Sequence, residues 1–116
     1  MKVELHLTEI VKFRLEMETF GKKIKRAREQ NSLLLRQVAH DLNIDQAIIS
    51  KFERNARKPT RSQVVKFAEF YNLNKDELLI AWLSDKITGE LMGEKVACEV
   101  LKVAGKKVRG IQKLIA

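Results

Sequence analysis

Within NIDQAIISKFERN, residues 43–55, the side chains of Gln46, Ser50, Lys51 and Arg54 recur at helical spacing, opposite Ile48, Ile49 and Phe52. Amide, hydroxyl, ammonium and guanidinium groups on one side of a short helix form hydrogen bonds and ion pairs rather than break covalent bonds. Two readings follow: an ordinary solvated helix face, or a polar face built for DNA. Catalysis has little to work with. It would need a nucleophile beside a base, a carboxylate pair in a pocket or a glycine-rich phosphate loop. The chain offers five glycines, one cysteine and two histidines. His6 and His40 are far apart and lack the companion spacing of a zinc site, so no metal and no cofactor are expected. Cys98 sits in an apolar-rich segment and reads as a packed thiol. The chain is not expected to be an enzyme.

Charge narrows the choice. The net charge is +8 over 116 residues. Residues 20–61 hold eleven Lys/Arg against four Asp/Glu, a net +7, while residues 1–19 sum to −1 and residues 62–116 to +2. A cationic excess confined to one third of a chain favours a polyanionic partner. The alternative is a basic face that merely confers solubility. A lone cysteine cannot form an internal disulfide and points to a reducing compartment. No apolar run approaches the ~20 residues of a membrane span, and the start MKVELHLTEI lacks the pattern of a signal peptide. A cytoplasmic location and no membrane partner are therefore expected.

With one proline and 45% hydrophobic residues the composition is that of a helical protein. Phe20, Ile24 and Ala27 mark a first core helix, and Leu35, Val38, Ala39 and Leu42 a second. Asn43 stops the second helix, because asparagine tolerates the left-handed backbone of a helix end. Asp45 then caps a third helix, with Ile44 packed beneath it, that ends near Asn55. ARKPTRSQ is a basic loop leading at Thr60 or Arg61 into a fourth helix that carries Val64, Val65, Phe67, Ala68 and Tyr71. In YNLNKDELL the grammar repeats: Asn72 stops a helix, Leu73 plugs the core, and Asn74 with Glu77 starts a fifth helix that carries Leu78, Leu79 and Trp82. Trp82 reads as core or as a cover at the junction with the tail.

The ends are less determinate. Val3, Leu5 and Leu7, then Phe13, Leu15 and Met17, alternate as hairpin strands would. Ile10, Phe13, Met17 and Phe20 also fit a helix capped by Thr8. At the other end Ala97, Leu101, Ala104, Val108, Ile111 and Ile115 are spaced 4-3-4-3-4, a short heptad seam for a second copy, another protein or the chain's own core. Gly105 and Gly110 weaken that helix by roughly 1 kcal/mol each relative to alanine.

Residues 20–83 resemble the Cro and phage-repressor (XRE) family of helix-turn-helix domains. The residues that carry the resemblance are Arg28, Val38-Ala39, Asn43, Ile49-Ser50, Phe52-Glu53, Asn55 and Pro59. Asparagine stands at positions 43, 55 and 72, where the family usually has glycine, which keeps the left-handed geometry. The resemblance implies an all-α, five-helix domain, to which one or more C-terminal helices are added. It marks residues 20–83 as the DNA-binding domain and leaves residues 1–19 as an N-terminal extension and residues 84–116 as a C-terminal helical extension, whose heptad seam makes it a candidate dimerisation element.

It also implies roles. Gln46, Ala47, Ser50 and Lys51 would read bases: glutamine bonds bidentately to adenine, alanine meets a thymine methyl, and lysine donates to guanine or phosphate. Arg54, Arg57, Lys58 and Arg61 would grip phosphates, and Arg28 with Glu53 would form a structural ion pair. One departure is Leu34-Leu35 at the start of the second core helix, where the family often has a polar cap and a glutamine. It moves that phosphate contact to Arg36 or makes Leu34 a protein contact.

The function implied is sequence-specific regulation of transcription as a homodimer on double-stranded DNA, of the repressor or controller type. The alternative is an antitoxin or protein–protein adaptor whose C-terminal helices bind a partner.

Overall fold

The computed structural model describes residues 2–115, without the side chains of residues 2–6, 15 and 16. Among the described residues all regular structure is helical: α1 (Lys2–Met17), α2 (Phe20–Gln30), α3 (Leu35–Leu42), α4 (Gln46–Glu53), α5 (Arg61–Tyr71), α6 (Lys75–Leu91) and α7 (Ala97–Ile115). None of these helices is long and apolar enough to cross a membrane. The chain divides into two compact units, one ending at Asp85 and one beginning at Lys86, with α6 running through the division.

The core of the first unit follows from helical spacing. Phe20, Ile24 and Ala27 of α2, Val38 of α3, Ile49 and Phe52 of α4, Val64, Phe67, Ala68 and Tyr71 of α5, and Leu78, Ala81 and Trp82 of α6 are all buried. Phe67 is its hub. It takes the rings of Phe20 and Phe52 edge-on at 5.9 and 6.1 Å and stacks on Tyr71 at 6.2 Å, geometries that suit the aromatic quadrupole.

Caps fix where the helices begin and end. Thr19 accepts the Lys22 N–H at the start of α2. Asn43 and Asn72, at φ 53° and 54°, close α3 and α5 in the left-handed conformation. Asp45 accepts the Ala47 N–H at 2.8 Å, and Asn74 accepts that of Glu77 at 2.9 Å. Thr60 and Gln63 form a reciprocal capping box at the start of α5.

Several sequence expectations are corrected. Residues 2–17 form a helix, not a hairpin, and Thr8 lies inside that helix rather than capping it. Between Leu7 and Phe13 there is no glycine, proline, asparagine or aspartate to make a hairpin turn. The facing inferred for Val3, Leu5 and Leu15 lies outside the described side chains. The fifth core helix runs on to Leu91, and one further helix follows it. Leu73 is 36% exposed rather than a buried plug, and the Cys98 thiol is exposed rather than packed.

A close approach not visible in the sequence joins α2 to the end of α4. A Cβ added at Gly21 would collide with the carbonyl of Phe52 and lie 2.6 Å from Asn55 Oδ1 and 2.9 Å from the Glu53 carbonyl. Two of these neighbours are backbone and cannot swing aside. Alanine gains ~1 kcal/mol of helix propensity over glycine, but overpacking costs about 1–3 kcal/mol. Gly21→Ala is therefore expected to lower stability in urea denaturation; a stabilised variant would show that α2 and α4 are less tightly apposed.

Candidate DNA interface

α3, a tight turn and α4 form the site. Asn43 reverses the chain, and the Ile44 N–H returns to the Ala39 carbonyl at 3.1 Å. Ile44 therefore packs against the core while Asp45 starts α4 immediately. Ile49 and Phe52 anchor α4 from below. Gln46, Ala47, Lys51 and Arg54 are exposed, and Ser50 is half-buried. At 100° per residue these five positions fall on one continuous arc opposite Ile48, Ile49 and Phe52. The Arg54 Nε donates to the Ser50 carbonyl at 3.3 Å, where a cation also complements the C-terminal end of α4.

The loop after α4 carries Arg57 and Lys58, both exposed, and its Pro59 is buried. The Trp82 indole N–H donates to the Pro59 carbonyl at 3.0 Å. Arg61, the first residue of α5, places its guanidinium 5.8 Å from the centroid of the Trp82 ring. At the start of α3 the Gln37 amide oxygen accepts the Leu34 N–H at 2.7 Å. Gln37 thus supplies one half of a capping box, and Leu34, which has no side-chain acceptor, supplies no other half; Leu34 and Arg36 both face solvent. The structure brings Gln46, Ala47, Ser50, Lys51 and Arg54 onto one helix and puts Arg57, Lys58 and Arg61 on the loop and helix that follow it. Arg36 begins α3. The seam positions from Ala97 to Ile115 belong to the other unit.

Beneath the site, Arg28 meets Glu53 in a two-pronged fork, Nε to Oε2 at 2.8 Å and Nη2 to Oε1 at 3.0 Å. A third donor of the same guanidinium reaches the Leu33 carbonyl at 3.0 Å. One side chain thus ties α2, the α2–α3 corner and the end of α4 together. The hydrogen bond to Glu53 is the main reason that the Arg28 pKa is raised, against the opposing effect of burial. The corner itself turns on Ser32, in the left-handed region at φ 54°. No glycine, asparagine or aspartate marks that position, so residue type does not announce it.

Two further features have no sequence signature. Asp85 of α6 accepts the Phe20 N–H at 2.9 Å, supplying a carboxylate to the positive end of α2. Burial pushes the Asp85 pKa up, and that hydrogen bond pulls it back. Tyr71 lies buried beside the fork, and its hydroxyl has no hydrogen-bond partner among the described residues. Burial first, and the Glu53 charge second, push its pKa up to about 12. Among the described residues no group of three or more His, Cys, Asp or Glu could hold a metal ion; the His6 side chain lies outside that description.

The family model described as a helix-turn-helix domain matches residues 21–81, from the second residue of α2 into α6. The chain belongs to the Cro and phage-repressor family of helix-turn-helix domains. The domain is similar to the HTH-type transcriptional regulator ImmR of Bacillus subtilis (strain 168), at 33% identity over 61 residues. That segment is 53% of this chain and 48% of the relative, so the match spans about half the length of that regulator. Within the helix-turn-helix domain the match covers α3, the Asn43 turn and α4; α1 and α7 lie outside it.

Two measurements probe this framework. Arg28→Met strands a buried carboxylate and is expected to cost about 3–5 kcal/mol in chemical denaturation. Combining it with Glu53→Leu should recover much of that loss, and simple additivity would show that the two groups act independently. For Tyr71, the folded state holds the phenolic proton more tightly than the unfolded chain does. Its contribution is full below the unfolded value of 10.0 and is lost as pH rises through about 12. Tyr71→Phe is expected to be near neutral at pH 7 and to lose less stability than wild type between pH 10 and 12. Parallel pH–stability curves would rule this out.

Proposed function

We propose that this protein is a sequence-specific regulator of transcription that binds double-stranded DNA as a homodimer. The observation that carries the reading is the exposed polar arc at the start of α4, set on an apolar underside and followed by a cationic loop. The major groove, ~12 Å wide, admits one helix, and α3 would cross above it against the backbone. Gln46 and Ala47 stand at the first positions of α4, with Ser50 and Lys51 one turn on, and they would meet base edges. Arg54, Arg57, Lys58 and Arg61 would hold phosphates on one flank and Arg36 on the other.

The helix ends support this assignment. Neither α3 nor α5 has an acidic residue in its first turn, and Arg36 and Arg61 stand there instead. A cation at the positive end of a helix is locally unfavourable unless an anion is shared between them. A DNA phosphate is such an anion. In this reading residues 20–83 are the DNA-binding domain, residues 1–19 an extension and residues 84–116 the dimerisation element. Operator occupancy would act sterically, by excluding polymerase, or by recruiting it from an upstream site.

The test is a gel-shift titration on DNA from directly upstream of the protein's own coding region, with nonspecific competitor, at two salt concentrations. Binding is expected to resist competitor and to weaken with salt, with a log–log slope of about −0.9 per phosphate neutralised. Gln46→Ala should lower discrimination for the operator by about 1–3 kcal/mol while nonspecific binding persists. Unchanged discrimination would mean that α4 does not read bases.

A further inference from the structure

Two copies of α7 can meet in either of two directions, and the order of large and small residues along the seam selects one. We infer that α7 pairs with α7 of a second copy antiparallel, crossing near Gly105; the inference rests on the reading of this protein as a DNA-binding homodimer.

Nothing in α7 is buried, although the helix is amphipathic along its whole length. Leu101 and Val108 are 47% and 53% exposed, and Ile115 is 80% exposed. A helix of 19 residues with two internal glycines is marginal in water without packing. Its apolar arc therefore asks for a partner. The opposite arc carries Lys102, Lys106, Arg109 and Lys113, with Glu99 the acidic residue among them. Two such helices can join along the apolar arc with most of their cations outside in water. Lys107 flanks the seam on one side, and on the other the Arg109 guanidinium lies within 4 Å of where a Gly105 Cβ would stand; the long stems of both let their charged ends swing to solvent as the helices close. A seam of this length covers on the order of 1,000 Å² in total, the lower bound of a specific interface.

In a parallel pair each seam residue meets its own copy. Ala97 would face Ala97 and Ala104 would face Ala104, while Leu101, Val108 and Ile111 would face themselves. Thin layers would alternate with thick ones, and two rigid helices cannot follow that without leaving voids. In an antiparallel pair centred between Gly105 and Lys107, Ala97 meets Ile115, Leu101 meets Ile111 and Ala104 meets Val108, and the twofold axis repeats each layer. Every alanine is then filled by a branched side chain from the other copy. The thinnest layers lie at the centre, where Gly105 stands at the seam's edge. Helices that cross are closest at one point and diverge from it, so small residues belong there and larger ones outside. A glycine at the closest point gains contact in return for its cost in helix propensity.

The two directions also differ in where they put the ends of the helices. With a rise of 1.5 Å per residue, the two Ala97 ends of an antiparallel pair lie roughly 27 Å apart. A parallel pair would hold them at about the interaxial distance, roughly 10 Å.

The test uses Cys98 as it stands, together with Gln112→Cys in the full chain. Both positions are exposed, so folding is not at risk. Within one helix they are ~21 Å apart, beyond the reach of a short bis-maleimide. Antiparallel pairing sets Cys98 beside position 112 of the other copy. Treatment of the variant with that reagent is expected to give a covalent dimer on a denaturing gel. Peptide mapping of mixed isotope-labelled and unlabelled protein should join the Cys98 peptide of one copy to the position-112 peptide of the other. Links only between like positions would mean parallel pairing, and no covalent dimer would mean that α7 does not pair with itself; either overturns the inference. The gel shift on the same preparation separates the two readings. Cross-links without operator binding would leave the seam and remove the DNA reading; operator binding without cross-links would do the reverse.

Discussion

The guanidinium of Arg28 is the joint on which the helix-turn-helix hangs. It faces the Glu53 carboxylate with two donors and the Leu33 carbonyl with a third. Glu53 is almost fully buried, at 4% side-chain exposure, and closes α4. A carboxylate shut off from water loses its compensation if the guanidinium is drawn away, which favours the position of the end of α4 that keeps the fork closed. The bare face of Gly21 lets α2 come close enough for the fork to close. The angle at which α4 is presented thus depends on a polar contact and a missing side chain, with the ring cluster around Phe67 supplying the bulk of the packing.

From that joint the polar arc of α4 inherits its rigidity. Its start is held by the Asp45 cap, its underside by Ile49 and Phe52, and its end by the fork. The cationic loop is held separately, through Pro59 and Trp82. In the proposed reading the arc is the part that meets bases, which require fixed positions, and the loop the part that meets phosphates, which tolerate more latitude.

Much of this was legible in the sequence, for reasons that can be stated locally. Asn43, Asp45, Thr60, Asn72 and Asn74 act within a few residues of where they stand, so their types announce the helix ends. The buried positions of α2 to α6 repeat at helical spacing. What escaped acts across the chain or against type. Asp85 meets Phe20 across 65 positions, and Trp82 meets Pro59 across 23. Neither pairing leaves a periodic trace. Ser32 takes a left-handed backbone that its type does not advertise. In residues 2–17, alternation and helical spacing overlap, and only the absence of a turn residue separates them. The positions proposed to meet DNA were readable from the resemblance, because the turn fixes which residues of α4 come first.

The contact between Arg61 and Trp82 makes the protein an optical instrument. Trp82 is the only tryptophan in the chain. Its indole nitrogen is tied to the loop that carries Arg57 and Lys58, and its ring lies under a cation at the head of α5. Indole emission responds to nearby charge and to the polarity around the ring. Any event that draws Arg61 off the ring or shifts Pro59 alters the emission of a single, unambiguous fluorophore. The native chain therefore reports on the state of its own cationic loop, with no label attached.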